Sequence, residues 1–386
     1  MRLRQLLPIL ALSLGVFGII TTEMGVVGLL PELSERFSTP AATTGWLVSI
    51  FALVVAITGP FSTLLASRFD RRAVLLTAIA VFALSNTAMA LSERFDVAIA
   101  FRIIPAIAHP VFFAVALTSA AQLAGPERAG AAITKVFAGV TLGFAFGVPL
   151  SSFLTEQFSL EAALLTVAGV NALAFLGILR WLPAMPAEAR LSYGSQLRIL
   201  RRPALWLNIA AVTALFAGMF AGFGFFANYL GEAAGFSARS ISVLLAVFGV
   251  VMVGGNFVFG ALLRVRPVLT AVSFPLVYVA LYVAIGALGA VQPAMLALVA
   301  LWGLVHSGGL IVSQWWLAVD AHDAPDFGNS LFISFSNLGI TIGTAAAGVA
   351  MTHIGAVGIP ATGAVCAAAA AVLMLVRLAK YPVGRA

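Results

Sequence analysis

The sequence predicts an all-α membrane protein with twelve transmembrane helices in two six-helix bundles. Of its 386 residues, 62% are hydrophobic and only 9% are charged, whereas a soluble domain is near 25% charged because its surface faces water. Apolar runs long enough to cross a bilayer, about 20 residues each, recur along the whole chain. Composition and run length together exclude an ordinary soluble protein.

Twelve apolar runs are the predicted helices, and glycine or proline inside them is tolerated in membrane helices. Their ranges are 6–30, 44–66, 73–91, 97–121, 136–154, 162–182, 204–230, 240–263, 268–291, 294–318, 329–352 and 357–376. The longest charged connection, residues 183–203, separates them into two sets of six. We therefore expect an N-terminal bundle of residues 1–182, a cytoplasmic linker of 183–203 and a C-terminal bundle of 204–386.

A weak internal repeat supports this division. A displacement of 197 residues places His109 over His306, and a displacement of 200 places Gly139 and Gly143 over Gly339 and Gly343. Two parallel six-helix halves are a known transporter design, in which the substrate binds near the middle of the membrane between the halves.

The basic residues indicate how the chain is oriented. They concentrate in the segments on the side of the N-terminus, and the opposite side carries only Arg36, Arg94 and Arg239. By the positive-inside rule, both termini are cytoplasmic, and we expect a multi-pass protein of a bacterial-type inner membrane. The net charge of +7 does not indicate nucleic-acid binding, because the arginines form short clusters rather than a basic stripe interleaved with aromatic residues.

The sequence offers no signature of an enzyme. Its single cysteine, Cys366, excludes an intramolecular disulfide and a cysteine-based zinc site. No GxxxxGK[ST] motif is present, so ATP hydrolysis by a P-loop is excluded. No serine–histidine–aspartate set or metal cluster is apparent. We expect a protein without catalytic residues, resident metal or organic cofactor.

The motifs at residues 21–25, 63–75 and 139–149 and at Arg102 together resemble the major facilitator superfamily. The segment from Thr63 to Leu75 resembles the signature loop between its second and third helices, although Ser67 replaces the usual aspartate. Arg102 resembles the arginine of a second family motif. The glycines at every fourth position of the fifth helix resemble the antiporter motif, and the segment from Thr21 to Gly25 resembles the first helix of sugar- and drug-efflux members.

This resemblance covers essentially the whole chain and implies the major facilitator fold. Within the superfamily, the drug–proton antiporter branch is the nearest match. It implies a small-molecule substrate, protons as the coupling ion, a lipid bilayer as surroundings and a monomer. The energy source would be a proton gradient.

Glu23 is the only carboxylate placed well inside a predicted helix, and an ionisable group in the membrane is a functional hypothesis by default. It lies about 10 Å below the predicted outer boundary, and Arg102 lies at about 9 Å, so the two can pair if the first and fourth helices are adjacent, as the resemblance implies. We interpret Glu23 as the proton-coupling residue and Arg102 as the residue that tunes its proton affinity. The alternatives are a static structural pair and a Glu23 that points outward.

His109 and His306 are predicted at depths of about 20 and 18 Å. Histidine titrates near neutral pH, which suits a proton relay or a substrate contact. The alternative for His109 is a packed residue bonded to a backbone carbonyl that the neighbouring Pro110 frees. Two histidines without a third ligand do not predict a metal site.

Aromatic and amide side chains of the predicted interior would suit an amphipathic or ring-containing ligand. For most of them the alternative is ordinary packing, and for the amides it is hydrogen bonding between helices. The predicted substrate cavity comprises Thr22, His109, Phe220, Phe223, Asn228, Trp302, His306, Gln314 and Asn337.

The signature loop predicts a cytoplasmic gate formed by Arg68, Asp70, Arg71 and Arg72. Membrane anchoring explains the arginines, but it does not explain Asp70. Overall, the sequence predicts a secondary transporter that exports a small organic molecule or drug in exchange for protons by alternating access. A proton-coupled importer of the same fold is the first alternative, and a non-transporting sensor or assembly protein is the second.

Overall fold

Helices account for the long apolar runs, because each backbone amide in hydrocarbon has to be hydrogen-bonded within its own segment. The structure is a computed structural model and describes residues 3–66, 68–186, 197–321 and 325–382; no strand occurs among them. Residues 187–196 of the predicted linker lie outside this described part.

Helices 1 to 6 correspond to the predicted runs. Helices 3, 4 and 6 are continuous, and helices 1, 2 and 5 are divided into parts. Helix 1 is Leu3–Gly25 with a 3₁₀ turn, Val26–Leu29, and a final part, Leu30–Phe37. The others are helix 2 (Ala41–Thr44 and Trp46–Ala66), helix 3 (Arg71–Leu91), helix 4 (Phe95–Ala124), helix 5 (Ala129–Leu142, a π-helical turn Gly143–Gly147, and Val148–Gln157) and helix 6 (Leu160–Trp181).

Helices 7 to 12 form the second set. They are helix 7 (Pro203–Phe223 and Phe226–Glu232), helix 8 (Ala238–Val265), helix 9 (Pro267–Leu288), helix 10 (Gln292–Ala321), helix 11 (Pro325–Ile354) and helix 12 (Gly358–Lys380). Among the described residues, 11 stretches are long and apolar enough to cross a membrane, and the last of them, residues 327–380, contains both helix 11 and helix 12. The 3₁₀ turn Gly355–Val357 separates these two, with Gly355 in the left-handed region at φ 69°. Twelve spanning helices are therefore present, as predicted.

The chain divides into two compact units. The first unit comprises residues 1–38 and 57–190, and the second comprises residues 39–56 and 191–386. The boundary at 190 lies within the predicted linker, whereas residues 39–56, the first part of helix 2, pack with the second unit. The division into bundles of residues 1–182 and 204–386 stays a prediction.

Glycine faces hold equivalent helix pairs together in each unit. A Cβ atom on Gly139 of helix 5 would meet the carbonyl of Ser13 and the amide of Phe17 in helix 1. A Cβ atom on Gly339 of helix 11, which lies 200 residues later, would meet the carbonyl of Thr213 and the amide of Ala217 in helix 7. The same displacement in both partners of the pair supports the predicted repeat. The glycine face of helix 5 is thus a packing surface against helix 1.

Candidate transport site

The carboxylate of Glu23 and the imidazole of His109 form a buried pair inside the first unit. Oε2 of Glu23 lies 3.1 Å from Nε2 of His109, and each side chain is only 6% exposed. The ring of His109 also stacks at an angle on Phe113, with 4.7 Å between ring centroids. The structure therefore brings together two titratable groups that the sequence singled out separately.

Glu23 lies deeper in its helix than the sequence indicated. Helix 1 continues past the predicted end at Leu30 to Phe37. Pro31 does not end the helix, because it occupies the first turn of the final part, where a missing amide hydrogen is tolerated. Fourteen residues separate Glu23 from Phe37, or about 21 Å. Fourteen residues also separate His109 from Phe95, where helix 4 begins, so the two side chains meet at one depth.

Arg102 binds the main chain beside this pair. Its Nη1 donates to the carbonyl of Thr22 at 2.6 Å and its Nη2 to the carbonyl of Glu23 at 3.0 Å. These carbonyls precede the 3₁₀ turn that starts at Val26, where the regular α-helical bonding of helix 1 ends and acceptors become available. The guanidinium and the Glu23 carboxylate also attract one another electrostatically. Arg102 therefore fixes the backbone that carries the carboxylate.

Thr22 lies in a buried polar cluster rather than in an open cavity. Its hydroxyl donates to the carbonyl of Gly18 at 2.8 Å and accepts from the amides of Asn86 at 2.8 Å and Asn171 at 3.2 Å. These bonds join helices 1, 3 and 6 and use the hydroxyl's donor and both of its acceptor sites. The predicted contact between Thr22 and substrate stays a prediction, and it would require one of these bonds to break.

The predicted cavity residues of the second unit lie in an aromatic cluster. Phe220, Phe223, Trp302 and His306 are each no more than 1% exposed. The ring of His306 is 4.7 Å from that of Phe223, and its Nδ1 is 2.8 Å from the hydroxyl of Tyr278. These contacts match the packing interpretation. A role of these side chains in substrate binding stays a prediction.

The three predicted amides differ in their surroundings. Asn228 is buried at the end of helix 7. Asn337 is buried in helix 11 and donates to the carbonyl of Ile333 in its own helix at 2.9 Å. Gln314 is exposed, and its amide nitrogen is 3.5 Å from Oδ1 of Asn329. Gln314 is thus the one predicted amide that the described structure leaves accessible.

The predicted gate residues make contacts within the first unit. Oδ1 of Asp70 accepts from the amide of Ala73 and caps helix 3, while Oδ2 accepts from the amide of Met185 at 3.0 Å. Arg71 donates to Oε1 of Gln122 at 3.0 Å, Arg72 donates to the carbonyl of Leu179, and Arg68 is exposed. Asp70 therefore fastens the segment after helix 6 to the start of helix 3. A gating function of the four residues stays a prediction.

Two polar clusters of the structure were not predicted from the sequence. The first contains Asn86 and Asn171, each of which is an isolated amide in an apolar run and could have been found by that signal. The second joins Asp320, Arg377 and Asn208 at the ends of helices 10, 12 and 7, with 2.7 Å between Asp320 Oδ2 and each of its two partners. Arg377 and Asp320 lie near predicted helix ends. Charged residues are usual there, so nothing in the sequence signals that these two pair.

The model of the Major Facilitator Superfamily matches residues 12–326 of the chain. The chain belongs to the Major Facilitator Superfamily. Among relatives of this superfamily, the chain is 30% identical over 363 residues to the uncharacterized transporter YtbD of Bacillus subtilis strain 168, covering 90% of this chain and 89% of YtbD. It is 31% identical over 354 residues to a chloramphenicol resistance protein of Streptomyces lividans, covering 90% of each chain.

A solved structure supports the superfamily's fold. The bacterial homologue of the human lysosomal transporter Spinster, crystallised in an inward-facing and unoccupied conformation, superposes with a TM-score of 0.76 and 16% identity, covering 99% of this chain and 97% of that chain. The protein is accordingly a multi-pass membrane transporter of the superfamily. Its Glu23, Arg102 and His109 combine burial with ionisable chemistry in one place.

Proposed function

We propose that the protein exports a small organic molecule in exchange for protons, and that the pair of Glu23 and His109 carries the exchanged proton. The observation that carries this proposal is the 3.1 Å contact between their side chains at 6% exposure. A buried ionisable pair is costly in a membrane and is usually kept for function.

The pair can exchange protons without separating its members. A carboxylate beside a protonated imidazole, and a neutral acid beside a neutral imidazole, hold the same number of protons and interconvert by moving one proton along the contact. Binding a further proton gives a neutral acid beside an imidazolium, and losing one gives a carboxylate beside a neutral imidazole. A substrate that approaches the pair can change which of these states dominates, because its charge or dipole stabilises them differently.

The relatives support the proposed substrate class and direction of transport. A 31% identical relative is named a chloramphenicol resistance protein, which supports export of a small drug. The basic residues support an orientation with both termini in the cytoplasm, and we place the protein in the inner membrane as a monomer. The two units would alternate access to the substrate by rocking.

The test uses inside-out membrane vesicles and a panel of radiolabelled compounds: chloramphenicol, neutral sugars, nucleosides and a lipophilic cation. Vesicles with the wild-type protein should accumulate the transported compound only when the vesicle interior is made more acidic than the outside medium. Glu23→Gln removes the exchangeable carboxylate proton at nearly constant volume. We expect it to abolish gradient-driven accumulation while exchange of labelled for unlabelled compound continues.

The matched control is Glu127→Gln, which makes the same chemical change at an exposed position of the turn Pro126–Arg128. It should transport like the wild type. Gradient-driven accumulation by a correctly folded Glu23→Gln variant would exclude Glu23 as the coupling residue. Accumulation in right-side-out vesicles, with protons moving in the same direction as the compound, would instead support the importer.

A further inference from the structure

An apolar groove runs along the surface of the second unit between helices 7, 11 and 12. Its volume is about 450 Å³, and its walls include Trp206, Ala217, Ile342 and Cys366. The hydroxyl of Thr213 also faces the groove region, but it donates to the carbonyl of Phe335 at 3.2 Å. The lining therefore presents almost only apolar atoms, as expected of a surface that faces hydrocarbon.

The length of the groove matches one leaflet of a bilayer. Eleven residues of helix 7 separate Trp206, at one end of the groove, from Ala217, at the other, which corresponds to about 16 Å. The hydrocarbon core of a bilayer is about 30 Å thick. The groove thus extends from the membrane surface to about the membrane centre, which is the depth occupied by one acyl chain.

The surface end of the groove carries positive charge. The indole of Trp206 donates to the carbonyl of Leu200 at 2.8 Å, so the 3₁₀ turn Leu197–Arg201 lies directly beside the groove. Arg198 and Arg201 of this turn are exposed. Tryptophan is enriched at the level of the lipid headgroups, and exposed arginines at that level attract anionic lipids.

We propose that this groove binds one anionic phospholipid of the leaflet on the side where helix 7 begins. One acyl chain lies between helices 7, 11 and 12, and the phosphate contacts Arg198 and Arg201. By the distribution of basic residues this is the cytoplasmic leaflet. Neither the lipid nor the groove has a part in the proton exchange proposed above, so the two proposals can fail separately.

Cys366 provides a direct probe of the groove, because it is the only cysteine of the chain and lies in the lining. The experiment uses the purified, full-length protein in detergent and measures the rate at which a small maleimide labels Cys366. Phosphatidylglycerol added in steps should slow the labelling in a saturable way. Phosphatidylcholine with the same acyl chains should do so only at much higher concentration.

Two variants test the two ends of the site. Arg198→Gln combined with Arg201→Gln should remove the preference for phosphatidylglycerol, a loss of about 30-fold for two surface arginines. The matched control is Arg264→Gln combined with Arg266→Gln, which removes two exposed charges at the end of helix 8 and should leave the preference unchanged. Ala214→Phe should fill the groove and abolish protection by either lipid.

The outcomes separate the proposal from its rivals. Equal protection by both lipids, or an unchanged preference in the Arg198→Gln and Arg201→Gln variant, would overturn the headgroup assignment. A labelling rate of Cys366 that no lipid changes would overturn the groove as an acyl-chain site. The arginine variants alter exposed positions, and Ala214→Phe alters a position in the groove lining. Gel filtration before labelling verifies that each variant is folded.

Discussion

Replacing Asp320 should destabilise the second unit strongly, because this carboxylate neutralises a buried arginine. The guanidinium of Arg377 is only 2% exposed, and its Nη2 is 2.7 Å from Oδ2 of Asp320. The amide of Asn208 donates to the same oxygen at 2.7 Å. Asp320→Ala therefore leaves a buried cation without its counter-charge and a buried amide with one bond fewer.

The magnitude follows from burial. Removing one partner of a buried ion pair costs about 3–5 kcal/mol, because the remaining charge stays desolvated. Asp320 is 17% exposed, so water can reach part of the site and the lower end of this range, about 3 kcal/mol, is expected. Arg377 keeps its bond to the carbonyl of Tyr381 at 2.7 Å and its position over the ring of Trp316, which retains the guanidinium in place rather than releasing it.

The assay is unfolding in mixed detergent micelles followed by tryptophan fluorescence. Arg377→Met combined with Asp320→Ala should be more stable than Asp320→Ala alone, because the double variant replaces a buried charge by an apolar side chain. The matched control is Asp96→Ala, which breaks an ion pair with Arg94 of similar length whose side chains are 75% and 66% exposed, and it should unfold like the wild type. An Asp320→Ala variant as stable as this control would refute the reasoning.

Two further substitutions test the packing and the backbone contacts. Gly343→Leu should cost about 1–3 kcal/mol of stability in the same assay, because its Cβ would meet the backbone of helix 7. The control Gly254→Leu has nothing within 4 Å of its Cβ and should unfold like the wild type. Equal stability of the two variants would contradict the glycine-face packing. Arg102→Lys keeps the charge but cannot bond two carbonyls as a fork, so transport should fall well below that of the wild type; full activity would show that charge alone suffices.

The helices could be predicted from the sequence because hydrocarbon imposes long apolar runs. Two helix ends differ from the prediction by seven residues: helix 5 begins at Ala129 instead of residue 136, and helix 1 continues to Phe37 instead of ending at Leu30. Pro31 and the charged residues after it resemble a loop in the sequence. In the structure one of these charges is neutralised locally, since Arg36 bonds Oε1 of Glu161 at 2.6 Å and the carbonyl of Ala90 at 3.0 Å. Contacts of this kind between distant segments leave no periodic signal in the sequence.

The site could be predicted by residue type, whereas the contact between Glu23 and His109 could not. The predicted depths of about 10 Å for Glu23 and 9 Å for Arg102 suggested an ion pair between these two, and His109 was expected much deeper. The extension of helix 1 moves Glu23 to about 21 Å from the helix end, which is the depth of His109. The seven-residue extension of helix 1 therefore accounts for the common depth of Glu23 and His109.

The main chain of Glu23 is held in place by its neighbours, whereas its carboxylate is the group that would exchange the proton. Arg102 holds the carbonyls of Thr22 and Glu23, and Asn86 and Asn171 hold the hydroxyl of Thr22 from helices 3 and 6. The main chain at this point is thus tied to three other helices, and the carboxylate faces His109. Under the proposed exchange, proton binding and release then change the charge at one fixed point instead of moving helix 1. Substrate and proton would compete through electrostatics at that point, so a substitution at Asn86 should alter stability before it alters coupling.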